Sequence, residues 1–174
     1  MNKKIFSENC NLSSYTTIKV GGVAEYFGEP RSINEFSYLI KWANLNKQRC
    51  QIIGAGSNLL INNIFIKGLV VCTKKLKSLK IEPYSGIVEA EAGVMLPTLS
   101  NALAKNGLQG GEWAVGIPGT LGGAIYMNAG TGNLSLAKNL ISVKVINNKT
   151  LEKLEIKKKI SILIIDLALF KEMI

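Results

Sequence analysis

The sequence contains no histidine and has only three cysteines and two arginines. Cys10, Cys50 and Cys72 form no C-x-x-C spacing, which argues against a structural zinc site and a disulfide framework. The lack of histidine excludes every histidine-based catalytic arrangement. Acid–base chemistry must therefore come from carboxylates, lysines, hydroxyls or a cofactor, and no metal site is predicted.

The sequence also lacks a run of about 20 uncharged apolar residues, so no membrane span is predicted. The first ten residues include basic side chains but no apolar stretch behind them, which is unlike a secretion signal. These absences predict a cytoplasmic location.

The charge is unbalanced, with 21 basic and 12 acidic residues and a net charge of +9. Nucleic acid is not a predicted partner, because arginine is scarce and the lysines are spread along the chain. Attraction of a small polyanion such as a dinucleotide remains open.

The composition is that of a folded protein, with 47% hydrophobic and 19% charged residues in 174. Helix and strand signals alternate along the chain, which predicts an α+β fold. We expect two small α/β units, residues 1–72 and 73–156. No linker or internal repeat divides the chain into further parts.

Two helices have clear boundary signals. Ser32 and Glu35 match a capping box, and apolar residues follow at helical spacing, which predicts a helix over 33–46. For a second helix, Pro97 is suited to the first turn and Gly107 to the position just after the last turn.

Strands are predicted at 50–53, 69–72 and 87–92, with a β-hairpin over 140–156 that turns at 147–149. Residues 1–14 are predicted to be a loosely held N-terminal segment without regular structure. Residues 16–27 are predicted to form two short strands interrupted at Gly21–Gly22. Glu89 and Glu91 lie on the same face of a predicted strand. Paired carboxylates in that arrangement more often lie on a solvent-exposed face than form a catalytic pair.

The stretch from Gly116 to Gly130 contains five glycines and one proline in 15 residues. Such a run is poorly suited to a regular helix or strand, because glycine and proline are both unfavourable inside them. We interpret 116–123 as a loop whose bare N–H groups face a phosphate, with a short helical turn over 124–128 behind it. A tight turn that only lets two elements pack is the alternative.

A second glycine loop, residues 54–58, follows the strand at 50–53. Leu59 stands where the Rossmann fingerprint needs its third glycine, and no G-K-[ST] sequence is present. The loop is either a site for backbone donors or a plain turn.

The two loops in this order, followed by Met127-Asn-Ala-Gly130, resemble the UDP-N-acetylenolpyruvoylglucosamine reductases. The opening Asn11-Leu-Ser-Ser-Tyr-Thr-Thr-Ile-Lys-Val-Gly-Gly22 is similar as well. The resemblance implies the FAD-binding fold of the vanillyl-alcohol-oxidase type, FAD as cofactor, NADPH as reductant and a UDP-sugar substrate in peptidoglycan synthesis.

The resemblance also implies which residues bind the cofactor. In the first unit these are Gly54, Ala55, Gly56, Ser57, Asn58 and Leu59. In the second unit they are Ile117, Pro118, Gly119, Thr120, Gly122, Gly123, Ala124, Asn128 and Gly130.

The resemblance stops near Lys157, before the family's arginine, serine and glutamate, so no catalytic residue is assigned. Residues 157–174 match no family motif, and a frameshift or premature stop that removed a third, substrate-binding domain is the working hypothesis. The alternatives are a real strand or helix at 160–170, a flavin-binding module that lacks its own reaction, a partner of a separate C-terminal chain, and a related FAD oxidase or dehydrogenase.

Overall fold

The apolar run at 69–72 lies in the interior of a four-stranded sheet. In a computed structural model, which describes residues 5–62 and 64–157, the sheet order is β1-β2-β4-β3. The strands are β1 (Phe6–Asn11), β2 (Val23–Gly28), β3 (Cys50–Ile53) and β4 (Phe65–Cys72). β1 and β2 are antiparallel, whereas β4 is parallel to both β2 and β3.

β4 is continuously apolar at its end because both faces of the sheet are covered. Leu69 and Val71 pack beneath helix α1 (Ile33–Leu45), whereas Val70 and Cys72 pack on the other face with Leu12 and Ile53. The sheet therefore has a buried cluster on each side.

The predicted capping box of α1 is confirmed with one difference. Ser32 Oγ accepts the N–H of Glu35 at 3.2 Å, and the Glu35 carboxylate accepts the N–H of Arg31 at 2.7 Å. Arg31 is one residue before the position that a reciprocal box requires.

The expectation of a loosely held N-terminal segment over residues 1–14 is wrong for the part that the structure describes. β1 pairs with β2 at five of its six residues, and the ring of Phe6 contacts those of Tyr26 and Trp42 with centroid separations of 5.6 and 4.3 Å. β1 carries no strong apolar pattern because it is an edge strand whose residues are mostly exposed.

The predicted strand at 16–20 is also absent. A 3-10 turn, Leu12–Tyr15, precedes it, and the buried Thr16 hydroxyl donates to the carbonyl of Val20 at 2.7 Å. This bond closes a turn, so the β-branched residues there do not form a strand.

The residues after β4 form two helices that pack against a hairpin. Their elements are β5 (Leu79–Glu82), β6 (Ile87–Ala90), α2 (Leu96–Lys105) and α3 (Leu121–Met127). Leu96, Leu99 and Leu121 belong to the buried core of this region. Gly107, at a φ of 69°, follows the end of α2 as predicted.

The short strands β7 (Gly130–Thr131) and β8 (Leu134–Ser135) and helix α4 (Leu136–Asn139) come next. The predicted hairpin is confirmed as β9 (Ser142–Ile146) and β10 (Lys153–Lys157). Its turn is longer than predicted, because Asn147 Oδ1 accepts the N–H groups of Lys149 and Thr150 before β10 begins.

The described helices do not combine the length and apolarity that a bilayer crossing needs. The division into units at residues 72 and 73 stays a prediction, and residues 158–174 lie outside the described ranges.

Candidate functional site

The first glycine loop follows directly from the end of β3. Gly56 has a φ of 68°, and the backbone of Tyr15 and Thr16 occupies the space where a Cβ would lie. The carbonyl of Gly56 accepts the N–H of Thr17 at 3.2 Å. Glycine at this position therefore lets the loop pack closely on the segment that follows β1.

The carbonyls of Ile53 and Gly54, where this loop begins, accept hydrogen bonds, whereas the amides of the loop have no acceptor among the described residues. Ile53 O accepts the Thr73 hydroxyl at 3.3 Å, and Gly54 O accepts the Cys72 thiol at 3.5 Å. Within residues 5–62 and 64–157, no group accepts the N–H groups of residues 54–58. Uncommitted amides in a glycine loop are suited to an anion.

The second loop, residues 116–120, leads into α3. The helical turn begins at Leu121 and not at the predicted 124, because Thr120 caps the helix by accepting the N–H of Gly123 at 3.4 Å. Thr120 is 2% exposed and forms an isolated antiparallel bridge with Met95.

The α3 amides are not all available to a ligand. Leu121 N–H donates to Val94 O at 2.7 Å, and Gly122 N–H donates to Ala92 O at 2.8 Å. With Gly123 donating to Thr120, the amides in this region that have no acceptor among the described residues are those of Gly119 and Thr120. The group of bare donors is therefore smaller than the glycine run suggested.

The two loops touch at Gly54 and Thr120. A Cβ on Gly54 would overlap the Thr120 hydroxyl and would lie 3.4 Å from Thr120 Cβ. The absence of a side chain at Gly54 thus brings the two loops together in one place.

Four further glycines between residues 116 and 130 fall into two groups. Gly122 is required by packing, since a Cβ there would lie 2.8 Å from Ala92 Cβ, and Gly130 is pressed against Ser135 in the same way. At Gly116 and Gly119 nothing lies within 4 Å of the position that a Cβ would take, and Gly119 has a φ of 141°. Open space at these two glycines leaves room for a ligand beside the bare amides.

Asn128 ends α3 in the left-handed conformation, with φ 46° and ψ 50°. Its Oδ1 is buried and has no hydrogen-bond partner in the part of the chain that the structure describes. A buried acceptor without a partner costs about 1–3 kcal/mol, so this oxygen is suited to a donor from a ligand.

The other residues implied by the resemblance differ in exposure. Ala55, Ser57 and Ile117 are partly buried, Asn58, Leu59 and Pro118 are exposed, and Ala124 is buried in the core that forms after β4. Loop residues can therefore reach a ligand directly, whereas Ala124 supports the loop from behind.

A polar group that no sequence pattern singled out lies beside the first loop. Tyr15 donates to Glu29 at 3.4 Å, and Lys75 pairs with the same carboxylate oxygen at 2.8 Å. Burial, followed by the charge of Glu29, raises the pKa of Tyr15 to about 12. Burial also raises the pKa of the Cys72 thiol, so the hydrogen that it donates to Gly54 O is retained at neutral pH.

The two carboxylates on β6 and just after it interact with the protein. Glu89 pairs with Lys144 at 2.6 Å, and both side chains are largely exposed. Glu91 accepts the N–H of Ser78 at 2.7 Å. These contacts agree with the solvated-face interpretation.

Comparison with known proteins identifies the architecture. The model of a family described as FAD binding domain matches residues 24–150. A UDP-N-acetylenolpyruvoylglucosamine reductase from Prochlorococcus marinus subsp. pastoris is 70% identical over 154 residues, which cover 88% of this chain and 52% of that protein.

Solved structures show the same fold. The chain is similar to UDP-N-acetylenolpyruvylglucosamine reductase from Thermus caldophilus, with a TM-score of 0.66, 28% identity and coverage of 85% of this chain and 51% of the other. It also resembles 6-hydroxy-D-nicotine oxidase from Arthrobacter nicotinovorans, with a TM-score of 0.66 and 13% identity, over 90% of this chain and 37% of the other. The predicted α+β fold class is confirmed.

The chain spans about half the length of the curated relatives that it matches. The match to the family model covers most of the chain, including both glycine loops. The chain therefore belongs to the FAD binding domain family, and its resemblance to UDP-N-acetylenolpyruvoylglucosamine reductases is confirmed.

Proposed function

We propose that the loops at residues 54–58 and 116–120 hold one FAD molecule between them. The observation that carries this proposal is the contact between Gly54 and Thr120, which joins two loops that both have uncommitted amides. Bare backbone N–H groups stabilise phosphate oxygens without requiring a cationic side chain. This arrangement fits the diphosphate of a dinucleotide.

The residues divide into those that contact the ligand and those that shape the site. The amides of residues 54–58, Gly119 and Thr120 would bind the diphosphate, and the open side of Gly116 and Gly119 would admit it. Asn128 Oδ1 would accept a hydrogen bond from the bound cofactor. FAD, when bound, supplies two-electron redox chemistry, while these residues bind and orient it.

The related reductases indicate the reaction of the whole enzyme. We propose that this chain supplies the FAD-binding part of an enzyme that reduces UDP-N-acetylglucosamine enolpyruvate to UDP-N-acetylmuramate with NADPH, for peptidoglycan synthesis. Its similarity to named reductases over 88% of its residues supports this assignment. The cytoplasm is the proposed location.

We further propose that the 174-residue chain alone has little or no turnover. The family resemblance carries no proton donor over to a residue of this chain, and a positioned proton donor typically contributes about 10²–10⁴-fold to rate. FAD binding without turnover would also be the behaviour of a flavin-binding module.

One experiment separates the broken or split enzyme from the module. NADPH oxidation that depends on the enolpyruvyl substrate is measured with this chain, FAD and the C-terminal half of the Prochlorococcus marinus relative added as a separate polypeptide. Recovery of turnover supports the reductase proposal. Continued inactivity, with FAD bound and the added half shown to be folded, contradicts it and favours the module.

A further inference from the structure

An open cleft of about 580 Å³ is lined by described residues that do not belong to the two glycine loops. Its lining residues are Arg31, Lys75, Lys77, Ser78 and Glu91. Arg31 precedes α1, Lys75 ends the 3-10 turn after β4, and Glu91 follows β6. The cleft is therefore bordered by segments from both parts of the chain, and its volume is typical of small-molecule sites.

The charges around the cleft leave two cations available. Lys75 is paired with Glu29 at 2.8 Å, so its charge is already compensated. The side chains of Arg31 and Lys77 have no hydrogen-bond or ion-pair partner among residues 5–62 and 64–157. A guanidinium and an ammonium that share a cleft are suited to an anion with several oxygens, such as a phosphate.

Glu91 restricts which anions fit. Its carboxylate accepts the N–H of Ser78 at 2.7 Å and keeps further acceptor capacity. It would repel a bare phosphate but would accept hydrogen bonds from hydroxyl groups attached to one. Ribose hydroxyls close to a phosphate meet both requirements.

We propose that this cleft binds a nucleoside phosphate, with the phosphate held by Arg31 and Lys77 and the ribose hydroxyls bound by Glu91. The ligand is a free nucleotide. The two phosphates of FAD are assigned to the amides of the glycine loops, so its adenosine end would bring no phosphate to Arg31 and Lys77. The proposal does not depend on FAD occupying the glycine loops.

The test is calorimetric titration of the full 174-residue chain with ADP at low ionic strength, where exposed charges are least screened. We expect saturable binding, and Arg31→Gln and Lys77→Gln should each raise the Kd about tenfold through loss of a charge-assisted contact. Lys105→Gln, at an exposed position on α2, is the matched control and should leave the Kd unchanged. Circular dichroism verifies that each variant is folded.

Glu91→Gln tests the ribose contact. Removing the negative charge should tighten binding of inorganic pyrophosphate, because repulsion is lost, without tightening binding of ADP. Absence of ADP binding, or an unchanged ADP Kd in both Arg31→Gln and Lys77→Gln, overturns the proposal.

A parallel titration with FAD shows whether the cleft is separate from the FAD site. Competition between ADP and FAD would place ADP in the site of the glycine loops and would overturn the cleft proposal. Simultaneous binding of the two supports a free nucleotide. ADP binding without FAD binding would support nucleotide binding in the cleft and would overturn FAD binding by the two loops. FAD binding without ADP binding would support the two-loop proposal and would overturn the cleft proposal.

Discussion

The contact between the two glycine loops predicts a specific coupling between Gly54 and Thr120. In Gly54→Ala the new methyl group would overlap the Thr120 hydroxyl, and Thr120 is 2% exposed and cannot move away freely. Overpacking at such a site costs typically about 1–3 kcal/mol. At about 2–4 °C per kcal/mol for a chain of this length, we expect a fall in Tm of about 2–12 °C.

Removing the opposing hydroxyl should relieve the overlap. Thr120→Ala alone loses the cap of α3, a cost of about 1 kcal/mol, but it also removes the atom that the Gly54→Ala methyl would strike. If the overlap costs about 2 kcal/mol and is fully relieved, the double variant should lose only the roughly 1 kcal/mol lost in Thr120→Ala, which is a coupling of about 2 kcal/mol. The control is Gly116→Ala, since nothing lies within 4 Å of its new methyl group.

Chemical denaturation followed by circular dichroism gives the four free energies of unfolding in this cycle. Additive losses, with a coupling below about 0.5 kcal/mol, would show that Gly54 and Thr120 do not touch and that the two loops are not joined at this point.

Four further outcomes follow from the structure. Gly119→Ala should raise the Kd for FAD about tenfold by filling open space beside the bare amides, whereas Gly132→Ala, also at positive φ with nothing within 4 Å, should leave FAD titrations unchanged. Asn128→Gly should leave the Tm of the FAD-free protein within a few degrees, because glycine tolerates the left-handed conformation and Oδ1 has no partner among the described residues, but should weaken FAD binding in fluorescence titrations. Burial raises the pKa of the Cys50 thiol from 9.0 to about 11. The protonated thiol therefore contributes to the free energy of unfolding in full below pH 9, and this contribution is lost as the pH rises to about 11. Urea denaturation should show a loss of about 2–3 kcal/mol over this pH range, and the loss should be absent in Cys50→Ala. Glu89→Gln should leave the Tm unchanged within about 1 °C, because its pair with Lys144 is exposed, and a larger fall would contradict that view.

Local signals were enough to predict both long helices. Ser32 with Glu35, and Pro97 with Gly107, act within a few residues of the helix ends that they specify. The edge strand β1 could not be predicted in the same way, because it is held by pairing with β2 and by the stacking of Phe6. That information lies in distant residues.

Prediction of the candidate site was limited in the same way, because part of it depends on contacts between residues that are distant in sequence. The glycine pattern and the family resemblance predicted both loops, yet they could not show which amides remain free. Val94 and Ala92 take the N–H groups of Leu121 and Gly122, and these partners are more than 20 residues away in sequence. Only the packing of α3 beside the end of β6 shows that Gly122 supports the structure, whereas Gly119 leaves an amide open.

Titration of the purified 174-residue chain with FAD, followed by flavin fluorescence and absorbance, is the decisive test of a cofactor site shared by the two glycine loops. We expect saturable binding that weakens about tenfold in Gly119→Ala and also weakens in Gly54→Ala, one variant from each loop. An unchanged flavin spectrum at saturating protein, or binding that neither substitution alters, would show that the loops do not hold FAD.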